Sequence, residues 1–405
     1  MHASARTLRQ SGLAAMVGKA YAGRTLVLGL GLLATFGHLA YPALLGTRTR
    51  RIADAEPPAP DHWPDLTVVI PAFRESVVID EKLASVRDNG YEGRVHVIVV
   101  AEDDATARVA ERAGATVISP SERLGKARAL NVGLEAATDE VVVFTDANNP
   151  LETGALAALA RWFSDASVGA VAGEKRVEGS EGESHYWRFE SWLKRRESRT
   201  GTTIGLVGEL GAVRRSLYRE LPADVVIDDL WIALDVIQEG RRVVYEPAAL
   251  TSEIASSTMA EEWERRSRVI AGVIDLLVRR RALLRPNGSP AAFQLWGHRL
   301  VRSSAGPLAH LALLGLAARH ARSSWLSRVF LAGHLVGGTS LIWTRRGHSL
   351  PRPLSALAQV LFLQVVALGG LTRYLRGDRL SMWPKVEREQ APASSHDASG
   401  TGWAV

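Results

Sequence analysis

The most informative segment of the chain is VVVFTDANNP, residues 141–150. Apolar residues of high β propensity run directly into Thr145 and Asp146, a pattern typical of a buried parallel strand. Strands of this kind end at the carboxyl edge of a sheet, where α/β proteins bind their ligands. Asp146 is therefore the first candidate for a functional residue.

Strand and helix patterns alternate on both sides of this stretch. Predicted strands cover residues 66–70, 95–100, 116–118, 141–144 and 168–172, and predicted helices cover 77–89, 105–113, 125–137 and 153–163. The alternation predicts an α/β domain of βαβ units, with a mostly parallel sheet and helices on both faces. No G-x-G-x-x-G motif follows the first strand, which argues against a dinucleotide site.

The alternation stops after Glu174. The next elements are a charged, aromatic helix over 184–199, a Gly-rich segment over 205–217, an acidic helix over 227–240 and a last strand over 242–246. In the first of these helices, Trp187, Glu190 and Trp192 either line an acceptor groove or serve in packing. Asp228 and Asp229 open the acidic helix, where the helix dipole alone would favour carboxylates.

The composition and charge of the chain exclude several classes of protein. The 405 residues are 46% hydrophobic and include no cysteine, which excludes disulfides and Cys-ligated zinc and fits a reduced compartment. Residues 52–258 carry 22 Lys/Arg and 35 Asp/Glu, whereas the segments before and after them are basic. The basic segments coincide with the long apolar runs and lack a basic stripe with interleaved aromatics, so membrane flanking is favoured over nucleic-acid binding.

Four apolar runs are candidates for membrane segments. Residues 26–45 and 353–372 have the roughly 20 uncharged positions that a transmembrane helix needs, while 303–318 and 329–344 are shorter and are either spans or buried core helices. Every connecting segment is basic, so the positive-inside rule leaves open on which side the tail, residues 376–405, lies.

A Pro-rich linker over residues 52–64 separates the first run from a soluble domain over 65–258. Amphipathic helices are predicted over 259–302, between the soluble domain and the membrane segments of 303–375. Ile270, Val273, Ile274 and Leu277 form an apolar stripe among arginines, as in a helix that lies in a headgroup layer.

Four ordered segments resemble glycosyltransferase family 2, in particular its membrane-bound branch of hyaluronan, cellulose and poly-N-acetylglucosamine synthases. They are VVIPAFRES (68–76), LGKARALNVGL (124–134), FTDANNP (144–150) and VIDDLWIALDVIQEGRRVVYEPAAL (226–250). A late L-R-G-x-x-x-x-W at 375–383 also matches the branch. The resemblance implies a GT-A fold, which is a Rossmann-like nucleotide-diphospho-sugar transferase domain, flanked here by transmembrane helices.

The resemblance also implies a donor site with a metal. The family's donor is a nucleotide sugar, commonly UDP-linked, and Mg²⁺ or Mn²⁺ bridges its diphosphate. Asp146 would supply the metal carboxylate, whereas Asn148 stands where the family has a second Asp, so that metal binding should be weaker. Lys126, at a helix start, would meet phosphate.

By the same resemblance, the nucleotide base would lie against Pro71, Phe73 and Glu75. An acid after the second strand, either Glu102 or Asp103, would complete this pocket. The family's usual D-x-S-T-D is not reproduced in this segment, and Glu102 is favoured narrowly.

Family members of this kind invert at the anomeric carbon by direct displacement, which requires one general base. The acidic pair Asp228 and Asp229 matches the catalytic acids, with Asp229 as the base. Processive members carry Q-x-x-R-W, and the matching stretch here is Arg265, Arg266, Ser267, Arg268, Val269. Arg268 keeps the phosphate-binding arginine of the motif. Val269 replaces the tryptophan that lies beneath the acceptor sugar, for which Trp263 is a possible substitute.

These features favour a membrane-embedded inverting glycosyltransferase that extends a polysaccharide. A single transfer to a lipid or lipid-linked acceptor is the alternative, and a catalytically inactive scaffold or nucleotide-sugar sensor is a third hypothesis. The expected partners are a nucleotide-sugar donor, the acceptor and membrane lipids, without nucleic acid. The expected location is the cell membrane, with the catalytic domain cytoplasmic, and the sequence leaves the oligomeric state and the sugar open.

Overall fold

The structure, a computed structural model, describes residues 23–178, 181–254, 258–346, 348 and 350–378, without the side chains of residues 181–185. Most of the tail predicted over 376–405, with part of the L-R-G-x-x-x-x-W motif, lies outside the described residues. Everything below refers to the described residues.

A mixed sheet forms the centre of the soluble domain. Its strands run in the order β3-β2-β1-β4-β6-β5-β7. Their bounds are β1 (Leu66–Ala72), β2 (Val95–Ala101), β3 (Thr116–Ile118), β4 (Val141–Thr145), β5 (Val168–Glu178), β6 (Leu210–Arg214) and β7 (Arg242–Ile254). Only β6 is antiparallel to its neighbours, β4 and β5, so the prediction of a mostly parallel α/β sheet is confirmed.

The helices pack around this sheet and continue beyond it. Those of the soluble domain are α2 (Ile79–Arg87), α3 (Asp104–Arg112), α4 (Lys126–Ala136), α5 (Ala155–Ala160), α6 (Glu181–Ser198) and α7 (Asp228–Gln238). The others are α1 (Gly23–Thr49), α8 (Met259–Arg279), α9 (Pro290–His320), α10 (Trp325–Arg345) and α11 (Arg352–Arg376).

Strand β4 is buried on both faces, as its unbroken apolar sequence predicts. Val141 and Val143 belong to the apolar cluster on one face of the sheet, and Val142 and Phe144 belong to the cluster on the other. Each of these side chains is at most 5% exposed. Because side chains alternate across a strand, burying both faces requires an apolar residue at every position.

Three strands differ from the sequence prediction by more than two residues. β6 was not predicted, because its Gly-rich segment has no clear period of two. β5 and β7 run past their predicted ends at residues 172 and 246, where Gly173 and Pro247 interrupt the apolar pattern and the strand register shifts. These extensions carry Lys175 and Glu253 to the edge of the sheet at which β4 ends.

Three of the described helices, α1, α9 and α11, are long and apolar enough to cross a membrane. They contain the predicted runs 26–45, 303–318 and 353–372. α10, which contains the run 329–344, is not among these three. Residues 290–302 belong to the same continuous helix as 303–318, so the boundary predicted at residue 302 is not a helix end.

Helix α8 packs its apolar stripe inside the protein. Val273, Ile274 and Leu277 are at most 8% exposed. Ile270 lies against α11, where a Cβ at Gly370 would come within 2.6 Å of its side chain. The prediction that this stripe lies in a headgroup layer is therefore wrong, because the soluble domain and α11 bury it from both sides.

A buried polar network joins α1, α6 and α9. The Tyr41 hydroxyl donates to Glu197 over 2.6 Å, and the His298 ring bridges Glu197 at 2.7 Å and Glu190 at 3.0 Å. Arg302 donates to Glu190 over 2.7 Å. Glu190 is thus a buried link between helices, so of the two alternatives for this residue the structure favours packing over an open acceptor groove.

Candidate active site

Lys126 is the residue at which the separate sequence segments meet. Its Nζ lies 2.8 Å from Asp146 Oδ1, just after β4, and 3.6 Å from Asp228 Oδ2, at the start of α7. It also donates to the carbonyl of Gly208, in the turn before β6, over 3.3 Å. One ammonium thereby holds three loops at a single edge of the sheet.

The position of Lys126 follows from local sequence. Gly125, with φ +80°, turns the chain into α4 with a backbone conformation that other residues rarely adopt. Further along the helix, Gly133 lets α4 approach β1 so closely that a Cβ there would lie 2.4 Å from Val69. The helix is therefore fixed against the sheet, with Lys126 and its free backbone N–H groups at the carboxyl edge.

The charges at this edge perturb one another. Burial alone would lower the pKa of Lys126, but the carboxylates of Asp146 and Asp228 raise it above its ordinary value. Burial raises the pKa of Asp146, and the Lys126 ammonium opposes that shift. Burial, and then the negative charge of Asp228, raise the pKa of Asp229 to about 6. A carboxylate with such a pKa suits proton transfer near neutral pH.

A second ionic cluster borders the first. Lys175, 2% exposed, lies 2.5 Å from Glu209 Oε1 and 2.6 Å from Glu253 Oε2. Its ammonium also lies 3.8 Å from the ring centroid of Trp187, on α6. Burial would raise the pKa of Glu209, but the Lys175 ammonium lowers it to about 2. Glu209 therefore stays charged beside Asp146 at neutral pH.

Lys82, on α2, supports the turn that carries Asp146. It is 1% exposed and donates to Thr145 Oγ1 over 2.6 Å and to the carbonyl of Asn149 over 2.5 Å. Thr145 in turn donates to the carbonyl of Glu209 over 2.7 Å. Burial lowers the pKa of Lys82 to about 7, against the attraction of Asp146. This chain of hydrogen bonds fixes both ends of residues 145–149.

The side-chain oxygens of Asp146 and Asn148 are suitable ligands for a hard cation that is bound weakly. Asp146 is 28% exposed, and Lys126 contacts its Oδ1, so that Oδ2 is the carboxylate oxygen that a cation would take. Asn148, also partly exposed, offers an amide oxygen in the same turn. The described residues include no group of three His, Cys, Asp or Glu side chains that could hold a metal. Mg²⁺ needs few protein ligands when waters and substrate phosphates complete its shell, so this donor set fits.

The predicted base pocket contains carboxylates that already have internal partners. Glu102, with a 4% exposed side chain, accepts the Gly125 N–H over 3.1 Å and so holds the start of α4. Asp103 is the N-cap of α3, where it accepts the Thr106 N–H over 2.9 Å. It also accepts the Arg74 N–H over 2.5 Å. Their roles toward a nucleotide base stay predictions.

The other members of this pocket lie at the end of β1. Pro71 is its penultimate residue, and Phe73 follows the strand with the Arg123 guanidinium 4.1 Å from its ring centroid. The backbone N–H of Glu75 donates to Thr106 over 2.9 Å. The structure thus brings these residues to the same sheet edge as Glu102.

The candidate site residues on α8 lie in three different environments. Burial lowers the pKa of Arg268 to about 10, and the negative charge of Asp228 opposes the shift, so Arg268 lies within electrostatic range of Asp228. Arg265 lies 2.6 Å from Glu262, and Arg266 pairs with the same carboxylate. Trp263 packs against α11, where a Cβ at Gly369 would lie 2.6 Å from its ring. Of these candidates, Arg268 is the one whose pKa Asp228 raises.

Sequence reasoning missed four charged residues at this site, namely Lys82, Lys175, Glu209 and Glu253. A signal existed for Lys82, because it occupies the stripe of α2 formed by Ile79, Leu83 and Val86, where an apolar residue is expected. Glu209 lies in the Gly-rich segment whose strand was not predicted. Lys175 and Glu253 lie in strand extensions that the apolar pattern does not show.

Residues 64–272, more than half of the chain, match the family model described as "Glycosyltransferase like family 2". The chain belongs to this family. The resemblance of the four sequence segments to glycosyltransferase family 2 is therefore confirmed.

Relatives among characterised proteins point to the same family. The chain is 24% identical over 234 residues to poly-beta-1,6-N-acetyl-D-glucosamine synthase of Staphylococcus aureus (strain COL), covering 54% of this chain and 57% of the relative. It is 24% identical over 235 residues to an N-acetylglucosaminyltransferase of Mesorhizobium japonicum, covering 50% and 54%. The chain spans about half the length of the curated relatives that it matches.

A solved structure shows a similar fold over most of the chain. The mannosyltransferase PcManGT from Pyrobaculum calidifontis, in complex with GDP-Man and Mn²⁺, has a TM-score of 0.69 and 26% identity. The match covers 87% of this chain and 98% of that chain. The predicted GT-A fold with flanking helices apolar enough to span a membrane is confirmed.

Asp229→Asn should stabilise the protein in a pH-dependent way. A carboxyl whose folded pKa is raised to about 6 opposes folding once it ionises, so its cost appears as pH rises from its unfolded pKa of roughly 4 through 6. We therefore expect a higher Tm for the variant at pH 8 and an unchanged Tm at pH 4, as measured by thermal unfolding in detergent. Asp88→Asn, at an exposed site, is the control, and equal Tm values for wild type and Asp229→Asn at pH 8 would contradict the assigned environment.

Proposed function

We propose that this protein is a membrane-embedded inverting glycosyltransferase that transfers a sugar from a nucleotide-sugar donor to a growing polysaccharide. The observation that carries the proposal is the meeting of Asp146, Lys126 and the pair Asp228 and Asp229. They come from three sequence segments and share one sheet edge, with Lys126 2.8 Å and 3.6 Å from two of the carboxylates. A phosphate-binding cation, a metal-ligand turn and a candidate base are the parts that this reaction needs.

The donor diphosphate would lie between α4 and the turn after β4. Lys126 and the free N–H groups at the start of α4 would bind phosphate oxygens, and Arg268 would supply a further positive charge beside the acidic pair. Asp146 and Asn148 would hold Mg²⁺ or Mn²⁺, which stabilises the negative charge of the leaving diphosphate when it is bound. Lys126 would exchange its contact with Asp146 for contact with the diphosphate as the donor enters.

Asp229 would act as the general base. Its raised pKa allows it to be ionised at neutral pH and still to accept a proton from an acceptor hydroxyl. Asp228, held by Lys126, keeps this pKa high through its charge and orients the start of α7. Direct attack by the deprotonated hydroxyl oxygen on the anomeric carbon, as the nucleoside diphosphate leaves, inverts that carbon.

The relatives guide the choice of donor and acceptor. The similarity to a poly-N-acetylglucosamine synthase and an N-acetylglucosaminyltransferase favours N-acetylglucosamine as the sugar, and the family resemblance favours a UDP-linked donor. The mannosyltransferase solved with GDP-Man makes GDP-mannose the second donor to test. A single transfer to a lipid-linked acceptor is the second candidate function. It is favoured by Val269, which packs against the apolar core where processive relatives carry an acceptor-binding tryptophan.

The proposed location is the cell membrane, with the catalytic domain on the cytoplasmic side, where nucleotide sugars are made. The apolar lengths of α1, α9 and α11 support the embedding. The contacts of α8 with both the soluble domain and α11 would hold the catalytic edge close to the bilayer.

Loss of the base should abolish transfer. For Asp229→Asn we expect a fall in kcat of about 10²–10⁴-fold. In the wild type, kcat/KM should rise with pH through about 6 and then stay level, because the base works in its ionised form. The measurement is release of nucleoside diphosphate by purified protein given each donor, with Asp88→Asn as the control. Full activity of Asp229→Asn would refute the base assignment, and no turnover by the wild type with any donor would favour the inactive scaffold.

A second carboxylate should tighten the metal site. Asn148→Asp adds a negative charge to the ligand set, so the Mg²⁺ or Mn²⁺ concentration for half-maximal activity should fall by about tenfold. Asp146→Ala should raise it or remove activity. Asn287→Asp adds the same charge at an exposed loop site and should change nothing. An unchanged metal requirement in both site variants would exclude this metal position.

The length of the product distinguishes the two candidate functions. With radiolabelled donor and purified protein, polymer synthesis should give a ladder or high polymer, because the acceptor stays bound between transfers. One solvent-extractable glycolipid of defined mass would instead establish the single-transfer alternative. Boiled protein and Asp229→Asn are the controls for donor breakdown.

A further inference from the structure

A groove separate from the candidate active site lies between the end of α1 and the outer face of α6. It has a volume of about 490 Å³. Pro42 and Gly46 from α1 line it with two small neighbours, together with Arg50 directly after α1 and Phe189 and Trp192 from α6. This volume lies within the range of roughly 300–1,000 Å³ that is typical of ligand pockets.

Aromatic rings make the apolar wall of this groove. Phe189 and Trp192 stack nearly in parallel, with ring centroids 6.3 Å apart and planes at 13°. The Trp192 ring approaches α1 at Gly46, where a Cβ would lie 3.6 Å from its edge. Trp192 is nevertheless 36% exposed, so a broad aromatic surface faces the groove.

The charge at the end of the groove is positive. Arg50 is exposed and lines the groove, and within the described part of the chain it forms no ion pair. The Arg196 guanidinium lies 5.5 Å from the Trp192 ring centroid. The nearby acid Asp54 is committed to Arg195 and Arg199, both at 2.6 Å. The groove is thus an apolar slot with an unneutralised arginine at its end.

The groove lies where α1 leaves its apolar stretch and the soluble domain begins. Arg48, Arg50 and Arg51 all follow the uncharged part of α1, and α6 belongs to the soluble domain. Tryptophan rings and arginines are the side chains that proteins place at the boundary between lipid tails and headgroups.

We propose that this groove binds one anionic glycerophospholipid from the leaflet next to the soluble domain. The lipid phosphate lies against Arg50, whose planar guanidinium can donate two parallel hydrogen bonds to it. The first part of an acyl chain lies along Phe189, Trp192 and Pro42. The bound lipid fills the gap between α1 and α6 and so strengthens the joint between membrane helix and soluble domain. The inference rests on the membrane position proposed above.

The test is lipid retention by the full chain, measured by native mass spectrometry after reconstitution into nanodiscs of phosphatidylglycerol and phosphatidylcholine. We expect one phosphatidylglycerol to remain bound to the wild type after release from the disc. Arg50→Gln should reduce its retention about fivefold. Arg51→Gln removes the same charge from the neighbouring residue, which does not line the groove, and should retain the lipid as the wild type does.

Gly46→Leu is the complementary variant, because it fills the groove without changing its charge. This variant should also retain less phosphatidylglycerol than the wild type, and circular dichroism should show that its fold is intact. If Arg50→Gln and Arg51→Gln lost phosphatidylglycerol equally, the proposal would be overturned, because the lipid would then be held by the charge of the surface and not by the groove. Equal retention of phosphatidylcholine, or retention of an isoprenoid phosphate instead, would also overturn it. Extraction of the protein from membranes by alkaline carbonate would refute the membrane position itself, independently of these results.

Discussion

The attraction between the Lys126 ammonium and the carboxylates of Asp146 and Asp228 is the interaction on which this site depends. Without it, one edge of the sheet would carry several buried acids of like charge, and their mutual repulsion would drive the three loops apart. The lysine neutralises part of that charge and fixes the loops in one arrangement. Because the same cation is suited to phosphate, the contact that organises the free site is also one that a diphosphate can replace.

A second layer of buried lysines supports the first. Lys82 holds the turn of Asp146 from behind, and Lys175 holds Glu209 and Glu253 beside it. Each ammonium is almost fully buried, which is costly unless hydrogen bonds or ion pairs compensate for the lost water. Such an arrangement is expected where a protein must keep several acids close together for function, since like charges do not cluster for stability alone.

The soluble domain packs as one unit with the helices that are apolar enough to span a membrane. Helix α8 shares its apolar face between the sheet domain and α11, and the network of Tyr41, Glu197 and His298 ties α1 to α6 and α9. In the membrane-embedded transferase proposed above, these contacts would keep the catalytic edge at a constant height above the bilayer. The groove between α1 and α6 lies at the same joint.

Much of the fold could be read from local sequence. The alternation of strands and helices, the doubly buried β4 and the apolar lengths of α1 and α11 depend on periodicity and composition, which are local properties. The same holds for Asp146, Lys126 and Asp228, because each stands at the end or start of a predicted element. The family resemblance added the expected roles of these residues, and those roles stay predictions.

Which residues share a site, and which contact only internal partners, depends on the long-range packing of the chain. No local pattern shows that Lys82 contacts Thr145, 63 positions away, or that Glu190 is buried against His298. From the sequence alone, Trp263, Glu102 and the apolar stripe of α8 could contact a ligand or the membrane. In the structure, they contact residues from distant segments of the chain instead. Local sequence is therefore sufficient to predict the fold class and the edge of the sheet at which the candidate site lies. The partners of each charge depended on long-range packing, because burial and ion pairing are properties of the assembled chain.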